Sequence, residues 1–426
     1  MPPMGPEQAE AKAGRIVEHL FRQEAGKIIA SLTGAFGLRY LELAEDALQE
    51  ALLEALRRWS YGNLPPNPAA WLMQVAQNRA LDVVRRDARF REKEKEIRAA
   101  MDPDSVLGGE GAFMADEIRD NQLRLIFACC HPALAPEAQV ALTLKTLCGF
   151  GIGEIARAFL TTDDAIAKRL TRARSRLRSA GVPFEIPDGR QLSERLDGVL
   201  NVLYLVFNEG YNASHGSDMV RRDLCEEAIR LATLMTENAA TDTPKTRALL
   251  ALFFLQAARF PARLNAMGDL YLLEEQDRSR WDREMIATGL HHLERAAAGE
   301  RLSAFHVEAG IAACHSAAAT YPATDWARIL SLYDLLLEMT ASPVAALNRA
   351  VALAKVYGPA AGLEELVRIK DHHRLERYYL YCAVRAEFCS ELGRQHEAAA
   401  DYRRALGLTK LEAEQRLLRR RVERIQ

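Results

Sequence analysis

The stretch LCGFGIGEIARAFLTTDDAIAKRLTRARSRLR (147–178) reads as two helices around a tight turn. Ile152, Ile155 and Ala156 give the first, short helix its apolar face. Thr162 stands where a side-chain oxygen can accept a free first-turn N–H, and Asp163 and Asp164 complement the positive end of the helix that follows. Ile166, Leu170, Ala173 and Leu177, spaced by four, three and four, predict one buried face. Between residues 166 and 178 there are six basic residues (Lys168, Arg169, Arg172, Arg174, Arg176, Arg178) and no acid. Lys168, Thr171, Arg172 and Ser175 fall opposite the apolar face. This is the anatomy of a helix-turn-helix whose second helix enters a major groove, where Arg and Lys read guanine edges or hold phosphates. The competing reading is a solvated basic face.

Upstream, LELAEDALQEALLEALRRW (41–59) carries an apolar stripe at Leu41, Ala44, Leu48, Leu52, Ala55 and Trp59, again at helical spacing. Glu42, Glu45, Asp46, Gln49 and Glu50 fall mostly on the other side, which for an arbitrary helix is a solvated face. A turn-forming SYGNLPPNP (60–68) follows, then the helical NPAAWLMQVAQNRALDVVRRDAR (67–89).

Taken in this order, AEDALQE, RRW and AWLMQVAQNRALDVVRR resemble region 2 of the sigma-70 family, especially its short extracytoplasmic-function group. EIARAFLTT followed by RLTRAR resembles sigma region 4. The resemblance spans roughly residues 10–180 and implies an RNA polymerase sigma factor. By it, Asp46, Gln49 and Glu50 dock on the clamp helices of the polymerase β′ subunit, since carboxylates and an amide suit an Arg-rich partner surface. The loop at 60–68 and the next helix would hold the −10 element, with bases leaving the stack to be captured by polar edges and stacking. Its candidates are Tyr61, Asn63, Asn67, Trp71 and Asn78, with Arg79, Arg85 and Arg86 for phosphates. A Trp on an amphipathic helix is more often core, so Trp71 has a structural reading as well. Region 4 would meet the β flap and the −35 element, using Thr162, Lys168, Arg169, Thr171, Arg172, Ser175 and Arg176. The chain departs from the family at Ala167, where many members carry Lys, and at Asp163 and Asp164, so a relative's promoter sequence does not transfer.

Composition agrees with a helical protein. The 426 residues are 49% hydrophobic and 27% charged but only 7% aromatic, and long stretches lack the alternation of strands. The length predicts more than one core. The expected fold is all-α: a region 2 bundle at 10–90, a charged and Gly-rich linker at 91–118, region 4 at 119–182, and a helical array at 190–426. Net charge is −2, so any DNA site is a local basic patch. Seven Cys without a CxxC pair read as reduced thiols of a cytoplasmic protein. The N-terminus shows no secretory h-region, and the apolar run VLNVLYLVF (199–207) is less than half a membrane span. No membrane association is expected.

The array from about 190 shows weak repeats. In YLYCAVRAEFCSELGRQHEAAADYRRALGL, Gly393, Ala398, Tyr402 and Ala405 resemble the small and aromatic positions of a tetratricopeptide repeat, with Cys382 where a large aromatic is expected. Pro343 and the residues after it look like an earlier unit. Generic antiparallel helix pairs fit almost as well. Such a surface suits a protein or peptide partner and a regulatory role.

Two further strings look chemical. CysCysHis at 129–131 lacks the second Cys/His pair a tetrahedral zinc needs, so no metal is expected. LDGVLNVLYLVFNEGYNASHG (196–216) offers Asp197, Asn208, Glu209, Tyr211 and His215, residue types found in hydrolase sites. It also resembles the opening of the C-terminal extension in extracytoplasmic-function sigma factors that bear tetratricopeptide repeats, which implies capping and packing. No P-loop, HExxH or GxSxG string stands in a fitting context, so neither enzyme activity nor a cofactor is expected. The rival to a sigma factor is a DNA-binding regulator or polymerase adaptor that does not melt promoters.

Overall fold

The computed structural model describes residues 6–59, 63–86, 111–158, 161–211, 221–265, 268–299, 301–369, 375, 378–409 and 411–425. Among them the fold is all-α, and the only β pairing is an isolated bridge between Leu264 and Leu270. The chain divides into two compact units, Met1–Val206 and Phe207–Gln426.

The first unit contains α1 (Pro6–Phe36), α2 (Leu41–Trp59), α3 (Pro68–Arg86), α4 (Gly111–Cys129), α5 (Pro136–Thr146), α6 (Ile152–Ala158) and α7 (Asp163–Ser179). It also holds most of α8 (Gly189–Tyr211). α1 packs on α2, α3 and α4, while α7 packs on α5 and α6. Ile28, Leu32, Leu48, Leu72, Leu123, Ile126 and Leu142 are fully buried. Each such side chain contributes about 1.5–3 kcal/mol relative to exposure. The stripe of α2 is buried throughout, from Leu41 to Trp59.

Two glycines of α1 set how closely its neighbours approach. A Cβ at Gly26 would lie 2.4 Å from the Leu147 carbonyl oxygen, and one at Gly34 would lie 2.7 Å from the Asn121 side-chain amide. At Gly26 the obstacle is backbone, so α1 meets the end of α5 through its bare backbone, whereas at Gly34 it is the Asn121 side chain.

The second unit starts at the end of α8, where Phe207 stacks on Phe253 at 4.2 Å. It continues through α9 (Arg222–Glu237) and α10 (Pro244–Ala257). Almost every side of α10 is apolar and covered, by α9, α11 (Arg283–Ala296) and α12 (Ala304–Ala317), as expected of a helix without a polar stripe. Thr243 caps it, accepting the Thr246 N–H at 3.2 Å, and Pro244 opens its first turn. α13 (Trp326–Thr340), α14 (Pro343–Tyr357), α15 (Pro359–Arg368), α16 (Tyr379–Glu391), α17 (Gln395–Leu408) and α18 (Glu412–Ile425) follow, most packing on the helix before. The pairs α14–α15 and α16–α17 are hairpins; Gly393 sits in the second turn, and Ala398, Tyr402 and Ala405 are buried against the neighbouring helices. No helix among the described residues is long and apolar enough to cross a membrane.

Candidate functional site

The acidic side of α2 divides in two. Asp46, Gln49 and Glu50 are exposed, as a docking surface requires. Partial desolvation, then the like charges of Glu42 and Glu50, raise the pKa of Asp46 above the usual aspartate value. Glu45 is only 4% exposed. It accepts a hydrogen bond from the Thr146 hydroxyl at 2.7 Å and an ion-paired one from the Arg174 guanidinium. Burial raises the Glu45 pKa, and the Arg174 charge and the Thr146 bond offset only part of that. The sequence places Glu45 among the acids expected in solvent, and the structure buries it instead. A signal was nevertheless present: Leu41, Glu45, Leu48 and Leu52 run at spacings of four, three and four, so Glu45 shares the buried stripe.

The loop and α3 place the other region 2 candidates. Asn63 and Asn67 are exposed, and the Asn67 side chain caps α3 by accepting the Ala70 N–H at 3.1 Å. Trp71 is half-buried against Trp59, with ring centroids 5.3 Å apart, and the Arg58 guanidinium lies 5.8 Å from its ring. Asn78 is exposed and lies 3.5 Å from the Gln74 amide. Arg79 bonds Glu54 at 2.8 Å and approaches Glu50 at 3.7 Å, so a residue expected at phosphate is tied to the acids of α2. Tyr61 lies outside the described residues, as do the side chains of Arg85 and Arg86.

α6 and α7 form the helix-turn-helix. The Thr162 hydroxyl accepts the Ala165 N–H at 3.2 Å, and Ile166, Leu170, Ala173 and Leu177 are buried. The opposite side of α7 is open: Lys168, Thr171, Arg172, Ser175 and Arg176 are exposed and Arg169 is half-buried. Lys168 pairs with Asp164 at 2.7 Å, and the Thr171 hydroxyl donates back to the Ala167 carbonyl at 3.0 Å. Lys168, Arg169, Arg172 and Arg176 line a groove of about 740 Å³ beside the α4–α5 turn. An exposed row of cations on one helix, with its acids confined to the first turn, suits a phosphate-lined groove. Arg174 and Arg178 instead turn toward α2, where Arg178 lies 3.3 Å from Glu42.

The remaining strings stand apart from these surfaces. Cys129 and Cys130 are buried, the Cys130 sulfur 3.7 Å from the Thr143 hydroxyl, and burial pushes its thiol up to about 12. The His131 ring accepts the Ala133 N–H at 3.1 Å. Asp197 and Asn208 are exposed and Tyr211 is buried, while His215 lies outside the described residues. No group of three His, Cys, Asp or Glu able to hold a metal occurs among the described residues.

Comparison with known families agrees with this geometry. Residues 21–90 match the family described as Sigma-70 region 2, and residues 124–177 match Sigma-70, region 4. Residues 195–297 match a family of unknown function, DUF6596. Over 395 residues the chain is 39% identical to "Uncharacterized protein R00370" of Rhizobium meliloti (strain 1021), covering 91% of each chain. No solved structure matches.

Proposed function

We propose that this chain, which belongs to the sigma-70 family of transcription initiation factors and is not an enzyme, is of the extracytoplasmic-function type with a helical regulatory domain fused to its C-terminus. Sigma region 2 and region 4 imply binding of core RNA polymerase and promoter DNA. The observation that carries the finer reading is the pairing of an exposed acidic patch on α2 with an exposed cationic face on α7. On this reading residues 10–90 form region 2, 91–118 a linker, 119–182 region 4 and 190–426 the regulatory domain. Asp46, Gln49 and Glu50 dock on the β′ clamp helices, and region 4 meets the β flap.

The α3 side of region 2 captures the opened −10 element through Tyr61, Asn63, Asn67, Trp71 and Asn78, with Arg79, Arg85 and Arg86 at phosphates. Lys168, Arg169, Thr171, Arg172, Ser175 and Arg176 read the −35 element, with Thr162 at the helix start. The hairpins α14–α15 and α16–α17, with small residues buried where helices meet, support a tetratricopeptide-like array that takes a protein or peptide partner.

The test is in-vitro transcription with bacterial core polymerase and a promoter library. Promoter-specific transcripts from the purified full-length protein are expected. Binding to core enzyme without any transcript, where a control sigma factor works, would instead favour an adaptor that does not melt DNA.

A further inference from the structure

The second unit holds an open-sided pocket of about 930 Å³, a volume typical of small-molecule sites. Its walls come from the end of α8, the end of α10 and the loop after it, α14, and the last three helices. Six tyrosines line it (Tyr211, Tyr271, Tyr321, Tyr378, Tyr379 and Tyr402), half of the 12 in the chain. Such a concentration offers flat faces and hydroxyls on several sides of one space.

Its charges are unevenly matched. The acids have partners: Glu414 accepts from Tyr379 and Thr409, Glu387 from Tyr402, and Arg421 lies 3.4 Å from Glu274 and 3.6 Å from Glu387. On the α10 wall, Arg259 donates to two neutral amides, Gln276 and Gln256, both at 3.3 Å. Arg263 lies beside it, 3.8 Å above the Tyr211 ring, and donates to the Tyr211 carbonyl. Burial and the neighbouring Arg263 charge push the Arg259 pKa below its ordinary value. A guanidinium held on a desolvated wall by neutral amides is costly, and an anion placed against Arg259 removes that cost. A second observation points into the same space. Tyr211 is only 9% exposed, and its hydroxyl has no hydrogen-bond partner. A buried hydroxyl left unpaired costs about 1–3 kcal/mol, which a ligand acceptor would recover.

We infer that this pocket binds a small organic anion with a planar unsaturated ring, its acidic group held by Arg259 and its ring among the tyrosines. The inference goes beyond the sigma reading and does not depend on it, since it concerns the second unit alone.

The test is fluorescence titration of the full-length protein with 8-anilinonaphthalene-1-sulfonate, alongside N-phenyl-1-naphthylamine, the same ring system without the anion. Saturable one-to-one binding of the sulfonate is expected, at least tenfold tighter than that of the neutral amine. Arg259→Gln should weaken it about tenfold, the loss of one charge-assisted bond, at about 1.4 kcal/mol per factor of ten. Because Arg259→Gln also removes two hydrogen bonds of the wall, Tyr211→Phe is the companion variant. It removes only the unpartnered hydroxyl, so it should weaken the sulfonate several-fold while leaving the melting temperature of the free protein unchanged or higher. Equal binding of the two probes, no saturable binding, or a sulfonate affinity indifferent to both substitutions would overturn the assignment.

Discussion

Arg174 on the basic helix α7 donates an ion-paired hydrogen bond to Glu45 on the acidic helix α2, and both side chains are largely removed from water. The pair joins the proposed polymerase-facing helix to the proposed promoter-reading one, 129 residues apart in sequence. Truncating one partner of a buried pair strands the other. Arg174→Ala is therefore expected to destabilise the protein by about 3 kcal/mol, read from urea melts at neutral pH. A loss below 0.5 kcal/mol, about the size of an ordinary surface change, would show that the pair contributes no more than a surface contact.

The Glu45 carboxyl has a second, pH-dependent signature. Its folded pKa is raised above 4.5, so the folded state holds the proton more tightly than the unfolded chain does. The stability linked to Glu45 is thus fully present below that value and is lost as pH rises through the folded pKa. Glu45→Gln cannot ionise. Its stability relative to the parent protein should improve as pH rises from 4.5 through the folded pKa and then level off. A difference that stays flat with pH, or falls, would contradict the burial-dominated account.

The same contact bears on promoter binding. Elements centred at −10 and −35 lie about 25 base pairs apart, roughly 85 Å of duplex at about 3.4 Å per step. α2 and α7 touch through Glu42–Arg178 as well as Glu45–Arg174. If region 2 and region 4 take the two elements together, these contacts must part. Joining Glu42→Cys and Arg178→Cys with a short bismaleimide should silence transcription from two-element promoters, while each singly labelled variant stays active. Undiminished transcription from the bridged protein would show that the closed arrangement is the working one.

The open face of α7 makes a prediction about salt. If Lys168 and Arg176 neutralise phosphates, changing either to Ala should lower promoter affinity at all sequences alike and reduce the slope of log affinity against log salt by about 0.9. Arg172→Ala, at a base edge, should instead relax the preference at one or two base pairs, at about 1–3 kcal/mol. Anisotropy titrations at several salt concentrations separate the two behaviours.

On α2, Asp46→Arg and Glu50→Arg should each weaken association with core polymerase tenfold or more, since each places a like charge against an Arg-rich partner. Glu50 also faces Arg79 at 3.7 Å, so Arg79→Ala should free Glu50 without weakening core binding. Unaltered core affinity in both charge-reversed variants would place the polymerase contact elsewhere on region 2.

Local periodicity carried much of this to the reader of the sequence. The spacings of Leu41 to Trp59 and of Ile166 to Leu177 correspond to buried faces, and Thr162 caps α7 where its position suggested. What stayed hidden depends on partners distant in the chain. Glu45 read as one more solvated acid because Arg174 and Thr146, which make its burial tolerable, are not sequence neighbours. The tyrosine-lined pocket is less visible still. Its six rings are scattered from 211 to 402, and no single helix shows a motif.

The glycine notches of α1 have a consequence for inheritance. Every single-base change that alters a glycine codon into that of another amino acid introduces a side chain. Even alanine at position 26 would set a carbon 2.4 Å from the Leu147 carbonyl oxygen. Missense variation at Gly26 therefore has no mild form. In a saturation library selected for function, this codon should be nearly invariant while exposed codons outside the proposed polymerase and promoter faces drift freely, so the packing of α1 on the end of α5 should be readable in the distribution of surviving alleles.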